Sequence, residues 1–132
     1  MKKVVLNGSD LTLDQLVAVA REHATVELAP ETVDAVKKSR GIVEKIVEEE
    51  RVVYGITTGF GSLHNVHISK EDCVQLQENL IRTHAVGDGA PLHEDEVRAV
   101  MLIRVNSLVK GVSGVRLVTV QTLIDMLNKN VV

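Results

Sequence analysis

The sequence predicts a mainly α-helical fold with short β segments near the N-terminus. Two observations carry this. Apolar residues recur at i, i+3 and i+4 along most of the chain, the period of one helical face. Only Val4 to Leu6 and Val26 to Leu28 read instead as short extended pieces bounded by turn or polar residues.

Val4 to Leu6 reads as a strand that the Asn7-Gly8 turn stops. Asp10 or Thr12 then caps a helix to about Arg21, with Leu13, Leu16, Val17 and Ala20 on one face. After Val26 to Leu28, Pro30 at a first helical position opens a long helix to about Arg51. Its apolar stripe is Val33, Val36, Ile42, Val43, Ile46 and Val47. Gly41 weakens that helix by ~1 kcal/mol relative to alanine and suggests a close helix contact. A glycine-rich loop, residues 54–68, comes next. Ser69 is the expected N-cap of the following helix, with Asp72 three residues on. Cys73, Leu76, Gln77, Leu80, Ile81 and His84 form its stripe, and Gly87-Asp88-Gly89-Ala90-Pro91 ends it.

A helix from about Glu94 to Lys110 follows. Gly111 closes it, Ser113 is placed to cap the last helix, and Leu117 to Leu127 is again widely apolar. Val97, Val100, Met101, Leu102, Ile103, Val105, Leu108 and Val109 cover most of the penultimate helix, as in a helix buried on several sides. Short neighbours cannot cover so much apolar surface. The expectation is that the chain oligomerises through these helices or is part of a larger helical protein. The apolar ending, Asn130-Val131-Val132, points the same way.

A length of 132 residues suits a single domain, 1–132, with one hydrophobic core. With 45% hydrophobic and 25% charged residues the chain is globular in type, not disordered. The net charge of -3 argues against nucleic acid, and Glu44 and Glu48 to Glu50 offset Lys37, Lys38 and Arg40. No apolar run approaches the ~20 residues of a membrane span. Met1 to Leu6 is stopped too early to be a signal peptide. The single cysteine, Cys73, excludes an internal disulfide and fits a reducing cytoplasm.

The chain has one tyrosine, one phenylalanine and no tryptophan, and both aromatics lie in Tyr54-Gly55-Ile56-Thr57-Thr58-Gly59-Phe60-Gly61. A core needing aromatic bulk would spread it through the helices. Tyr54 therefore reads in two ways: a loop residue anchored by its ring, or a group placed for chemistry. A free phenol ionises only near pH ~10, so as a base it needs donors that favour its phenolate. The glycines also suggest a phosphate cradle, but no lysine followed by Ser/Thr stands at P-loop spacing.

His84 is the last periodic residue of its helix. It reads either as a hydrogen-bonded residue at a helix C-terminus or as a polar group pointing into a pocket. His64 and His67 lie in the loop without the further ligands that zinc needs, so no metal is expected there. His23 and His93 read as helix-end residues. Arg104 and Arg116 would need partners if buried.

Four stretches, taken together, resemble the N-terminal part of the aromatic amino acid lyases. They are the Tyr54 to Gly61 loop, Asn79-Leu80-Ile81-Arg82-Thr83-His84-Ala85-Val86-Gly87, Arg104-Val105-Asn106-Ser107-Leu108, and Gly111-Val112-Ser113-Gly114-Val115-Arg116. The resemblance implies the helical N-terminal domain of an L-aspartase-like fold in a cytoplasmic homotetramer with active sites shared between subunits. It implies elimination of ammonia from an α-amino acid to give an unsaturated acid. A methylidene-imidazolone (MIO) group, made from an internal Ala-Ser-Gly, is the electrophile of the family. By this resemblance Tyr54 is the base that removes the β-proton, Gly61 lies against the substrate, and His84 contacts its side chain.

The Thr83-His84 pair resembles the histidine-acting branch, which makes urocanate in histidine catabolism; serine is the more expected partner of that histidine. Tyrosine or phenylalanine lyases and aminomutases are the alternative, and a non-catalytic helical interaction module is another. Thr57 stands where asparagine is also common, so that position says little. No Ala-Ser-Gly occurs in the 132 residues, and Val112-Ser113-Gly114 is only similar to it. The triad is expected just beyond Val132, and the chain alone is expected to be inactive.

Overall fold

The structure, a computed structural model, describes residues 2–132, so the Met1 end of the N-terminal stretch lies outside it. The elements run β1 (Lys3–Leu6), α1 (Leu13–Arg21), β2 (Thr25–Leu28), α2 (Pro30–Glu48), a 3₁₀ turn (Gly61–Leu63), α3 (Cys73–His84), α4 (Glu94–Leu108) and α5 (Leu117–Asn128). The mainly helical reading holds. The chain forms two compact units, Met1–Arg40 with Pro91–Val132, and Gly41–Ala90.

In the first unit, β1 and β2 pair in parallel, with Val4 opposite Val26 and Leu6 opposite Leu28. Parallel strands need a crossover, and α1 supplies it. Thr12, the second of the two expected caps, starts α1 through a full capping box with Gln15. The buried face of α1 differs from expectation. Ala20 is buried and Leu16 packs against the core, as expected, but Leu13 and Val17 are exposed, and Ala18 and Val19 are buried instead. Small residues face inward because α1 packs against α4, and short side chains let two helix backbones approach.

The core joins Val4, Leu6, Val19, Val26 and Val36 to Leu102, Val105 and Leu108 of α4 and Val120, Ile124 and Leu127 of α5. Leu102 is fully buried, worth ~2 kcal/mol by area. The outer edge of β2 is closed by a side chain. Asn128 accepts from the Val26 N–H at 2.8 Å and donates to its C=O at 2.9 Å, copying a third strand. The connection between α4 and α5 is tied to α2, since Gly114 N–H donates to Ser39 Oγ at 2.9 Å.

Other expectations need correction. Ser113 does not cap α5; the N-cap is Arg116, without a side-chain cap bond. Ile42 is exposed, and a Cβ at Gly41 would meet nothing within 4 Å, so no close helix contact explains that glycine. Arg104 and Arg116 are exposed, so the need for buried partners does not arise for them. The buried guanidinium is that of Arg98 on α4, at 1% exposure. Val100, Ile103 and Val118 remain exposed, so α4 and α5 do carry uncovered apolar surface.

Candidate active site

The second unit carries Tyr54, Gly61 and His84. Past Glu48 the backbone leaves the helix, with Glu50 at φ 51 and Arg51 N–H returning to Ile46 O at 3.1 Å. A tight turn follows. Val53 O accepts from Ile56 N–H at 3.1 Å and from Thr57 N–H at 3.0 Å. Tyr54 and Gly55 are its two central residues, and Gly55 has φ 73, which the third position of a type II turn requires. Tyr54 therefore sits at a corner, 63% exposed. Its ring meets Phe60 edge-on, with centroids 6.1 Å apart.

Behind the corner, Thr57 and Thr58 are buried. Thr58 forms an antiparallel bridge with His67, while Gly59 N–H donates to Val66 O at 3.0 Å and Ile68 N–H to Thr57 O at 2.9 Å. The loop is thus a small hydrogen-bonded body whose tip is the 3₁₀ turn. Gly61 opens that turn at φ 57, a backbone sign that favours glycine, and a Cβ there would meet nothing within 4 Å. Gly59 is different: a Cβ would come within 2.6 Å of Leu63 Cβ and 2.8 Å of its carbonyl oxygen.

Ser69 is not the N-cap of α3; that position is Asp72, without a side-chain cap bond, because the helix begins only at Cys73. Ser69 instead closes the turn before it: its hydroxyl accepts from Asp72 N–H at 3.2 Å and donates to the Asp72 carboxylate at 2.8 Å. Cys73 begins the helix, with its thiol 3.8 Å from Ile56 O. Burial pushes this thiol above its ordinary pKa, and the nearby charges of Asp72 and Glu71 push the same way. Cys73, Leu76 and Leu80 are half-buried, but Gln77, Ile81 and His84 are exposed, so the stripe is covered along only part of its width.

His84 ends α3. Its Nδ1 lies 2.9 Å from Leu80 O and 3.1 Å from Thr83 Oγ1, and Thr83 Oγ1 donates to the same Leu80 O at 3.0 Å. A carbonyl only accepts, so the proton of a neutral ring belongs on Nδ1 and leaves Nε2 as an acceptor. Tyr54 and Gly61 share one loop through Phe60. Among the described residues no hydrogen bond or ring contact joins His84 to them. Thr57 and Phe60 are the residues of this site that sequence reasoning passed over. A hydroxyl three residues after Tyr54, in a glycine-flanked bend, was the available signal.

His64 Nδ1 bonds Gly61 O at 3.0 Å, and among the described residues no three His, Cys, Asp or Glu side chains gather to hold a metal. No described helix is long and apolar enough to cross a membrane.

Residues 11–132 match the model of the aromatic amino acid lyase family, and the chain belongs to that family. Among its relatives is the histidine ammonia-lyase of Streptococcus gordonii, 65% identical over 127 residues, which are 96% of this chain and 25% of that protein. The histidine ammonia-lyase of Streptococcus pyogenes serotype M49 is 60% identical over 132 residues, 99% of this chain and 26% of that protein. The structure of histidine ammonia-lyase from Trypanosoma cruzi superposes with a TM-score of 0.86 at 41% identity, over 96% of this chain and 25% of that one. A tyrosine aminomutase from Streptomyces globisporus superposes at 0.92 with 39% identity, over 97% of this chain and 24% of that one. The chain thus spans about a quarter of the length of the relatives it matches.

Proposed function

We propose that this chain is the N-terminal portion of a histidine ammonia-lyase, a carbon–nitrogen lyase that converts L-histidine to urocanate and ammonia. The observation that carries this reading is the 65% identity to a histidine ammonia-lyase across nearly the whole segment, against 39% to the tyrosine aminomutase.

Within that reading, Tyr54 removes the β-proton of the substrate. Its exposed corner position lets a reactant reach the phenol, while the hydrogen-bonded loop behind it limits the positions the oxygen can take. Gly61 leaves room for the substrate on the adjoining turn. His84, with its proton held on Nδ1 by Leu80 O, presents Nε2 to accept an N–H from the substrate imidazole. A polar contact of that kind selects histidine over apolar amino acids, which would leave the acceptor unpaired.

The family's electrophile is the MIO group, which makes the amine a better leaving group. The residues present do not form it: Val112 stands where the triad has alanine, and Ser113 lies exposed in the α4–α5 connection. The group, the substrate-carboxylate contacts and the walls around Tyr54 and His84 come from the rest of a cytoplasmic homotetramer.

The test is urocanate absorbance. A complete lyase containing this segment should turn over histidine, and Tyr54→Phe in it should lower kcat by ~10²-fold or more. The 132 residues alone should give no urocanate. Turnover by the isolated chain, or an unimpaired Tyr54→Phe enzyme, would overturn the assignment.

A further inference from the structure

We infer that Thr57 is the positioning residue for Tyr54: its buried hydroxyl fixes the bend at whose corner the phenol stands. This rests on the proposed role of Tyr54 and deepens it.

The side chain of Thr57 is 2% exposed. Its hydroxyl donates to Arg51 O and accepts from Val53 N–H at 2.9 Å. Its own backbone N–H donates to Val53 O at 3.0 Å. Residues on the approach to Tyr54 are therefore tied to one residue on its far side, and Tyr54 is the apex of the closed bend. Thr58 adds a longer contact, 3.4 Å from Gly55 N–H. Among the described residues, Tyr54 has its edge-on contact with Phe60 and its phenol makes no hydrogen bond that would fix it. Its position is set by the backbone, and the backbone is set by Thr57.

The chemistry explains why a hydroxyl serves here. A single hydroxyl both donates and accepts, so it can bind a carbonyl and an N–H at once. Valine has nearly the same shape and does neither. Thr57→Val leaves Arg51 O and Val53 N–H without that partner. Arg51 is exposed and Val53 half-buried, so water can replace the lost bonds and the bend loosens rather than the whole unit unfolding. A small displacement of a catalytic group is costly, on the order of a hundredfold for about 1 Å.

The experiment compares Thr57→Val, Thr57→Ser, Tyr54→Phe and the Tyr54→Phe/Thr57→Val pair in a complete lyase containing this segment, with histidine as substrate. Thr57→Val should lower kcat by ~10- to 100-fold while KM moves much less, and Thr57→Ser should restore most of the loss. In the Tyr54→Phe background the same change should cost little, because both act through one group. Parent-like kcat in Thr57→Val beside a crippled Tyr54→Phe overturns the positioning role and leaves the role of Tyr54 standing. Equal losses from Thr57→Val with and without Tyr54 also overturn it. An unimpaired Tyr54→Phe enzyme sinks the underlying assignment instead.

Should Thr57→Val fail to assemble, the sole tyrosine gives a second reading in the 132-residue chain. The one set of tyrosine ring NMR signals should shift or broaden in Thr57→Val and return in Thr57→Ser. Unchanged signals overturn the proposal.

Discussion

Arg98 sends both Nε and Nη2 to a single carbonyl oxygen, that of Val19, at 3.0 Å each. Its Nη1 donates to Leu127 O at 3.0 Å and to Asn130 Oδ1 at 2.8 Å. The guanidinium thus ties the end of α1 and the end of α5 to α4 through neutral oxygens. Val19 belongs to a helix whose last carbonyls have no intrahelical donors, and Arg98 and the Glu22 and Ala24 N–H groups satisfy that end.

Arg98→Ala should therefore destabilise the fold by about 3 kcal/mol or more, because it leaves a void and strands buried acceptors. Arg104→Ala, on the exposed side of the same helix, should stay within about 0.5 kcal/mol. Urea unfolding of the two variants side by side checks this. Equal midpoints would mean that water replaces the guanidinium without cost.

Gly59 and Gly61 should answer differently to alanine. At Gly59 the new Cβ collides with Leu63 backbone, so the loop must rearrange at a cost of about 1–3 kcal/mol. At Gly61 there is room, and the left-handed φ costs only about 1–2 kcal/mol. In a complete lyase, Gly61→Ala should also raise KM for histidine if the substrate packs there. A KM like the parent's would remove Gly61 from the binding surface.

Cys73 gives a pH prediction. Its folded-state pKa is raised, so the protonated thiol favours the folded state. That contribution is fully present below the unfolded thiol pKa and is lost as pH rises through the higher folded value. Iodoacetamide should label Cys73 more slowly at mildly alkaline pH than it labels the urea-unfolded chain. Asp72→Asn removes one of the charges that disfavour the thiolate, so its labelling should be faster at the same pH. Identical rates in Asp72→Asn and the parent would show that Asp72 does not act on the thiol.

His84→Leu in a complete lyase should lower kcat/KM for histidine by about tenfold or more, while phenylalanine is rejected less strongly than before. Loss of histidine turnover with no change in the preference between the two substrates would assign His84 to support of the α3 end instead.

Much of this was legible along the chain. The strands at β1 and β2, the Thr12 cap and the Pro30 start follow from local chemistry: turns, caps and proline act within a few residues of themselves. The unusual placement of Tyr54 was equally plain, because it needs only the count and positions of aromatic residues. The inward face of α1 was legible only in part, at Leu16 and Ala20. Leu13 and Val17 are more apolar than Ala18, and periodicity alone favours the larger side chains. Packing against α4 buried Ala18 and Val19 instead.

The sequence by itself determined the order of helices and strands, the family signal and the chemical character of the Tyr54 loop, since each depends on near neighbours or on motif identity. The tertiary structure alone decided that Arg98 and not Arg104 is buried, that Asn128 closes the β2 edge, and that Thr57 lies inside the bend carrying Tyr54. The first two join residues 79 and 102 positions apart. The third turns on which way a side chain points once the chain has folded back on itself. Spacing along a chain records neither, because burial and direction are set by whatever packs on the other side.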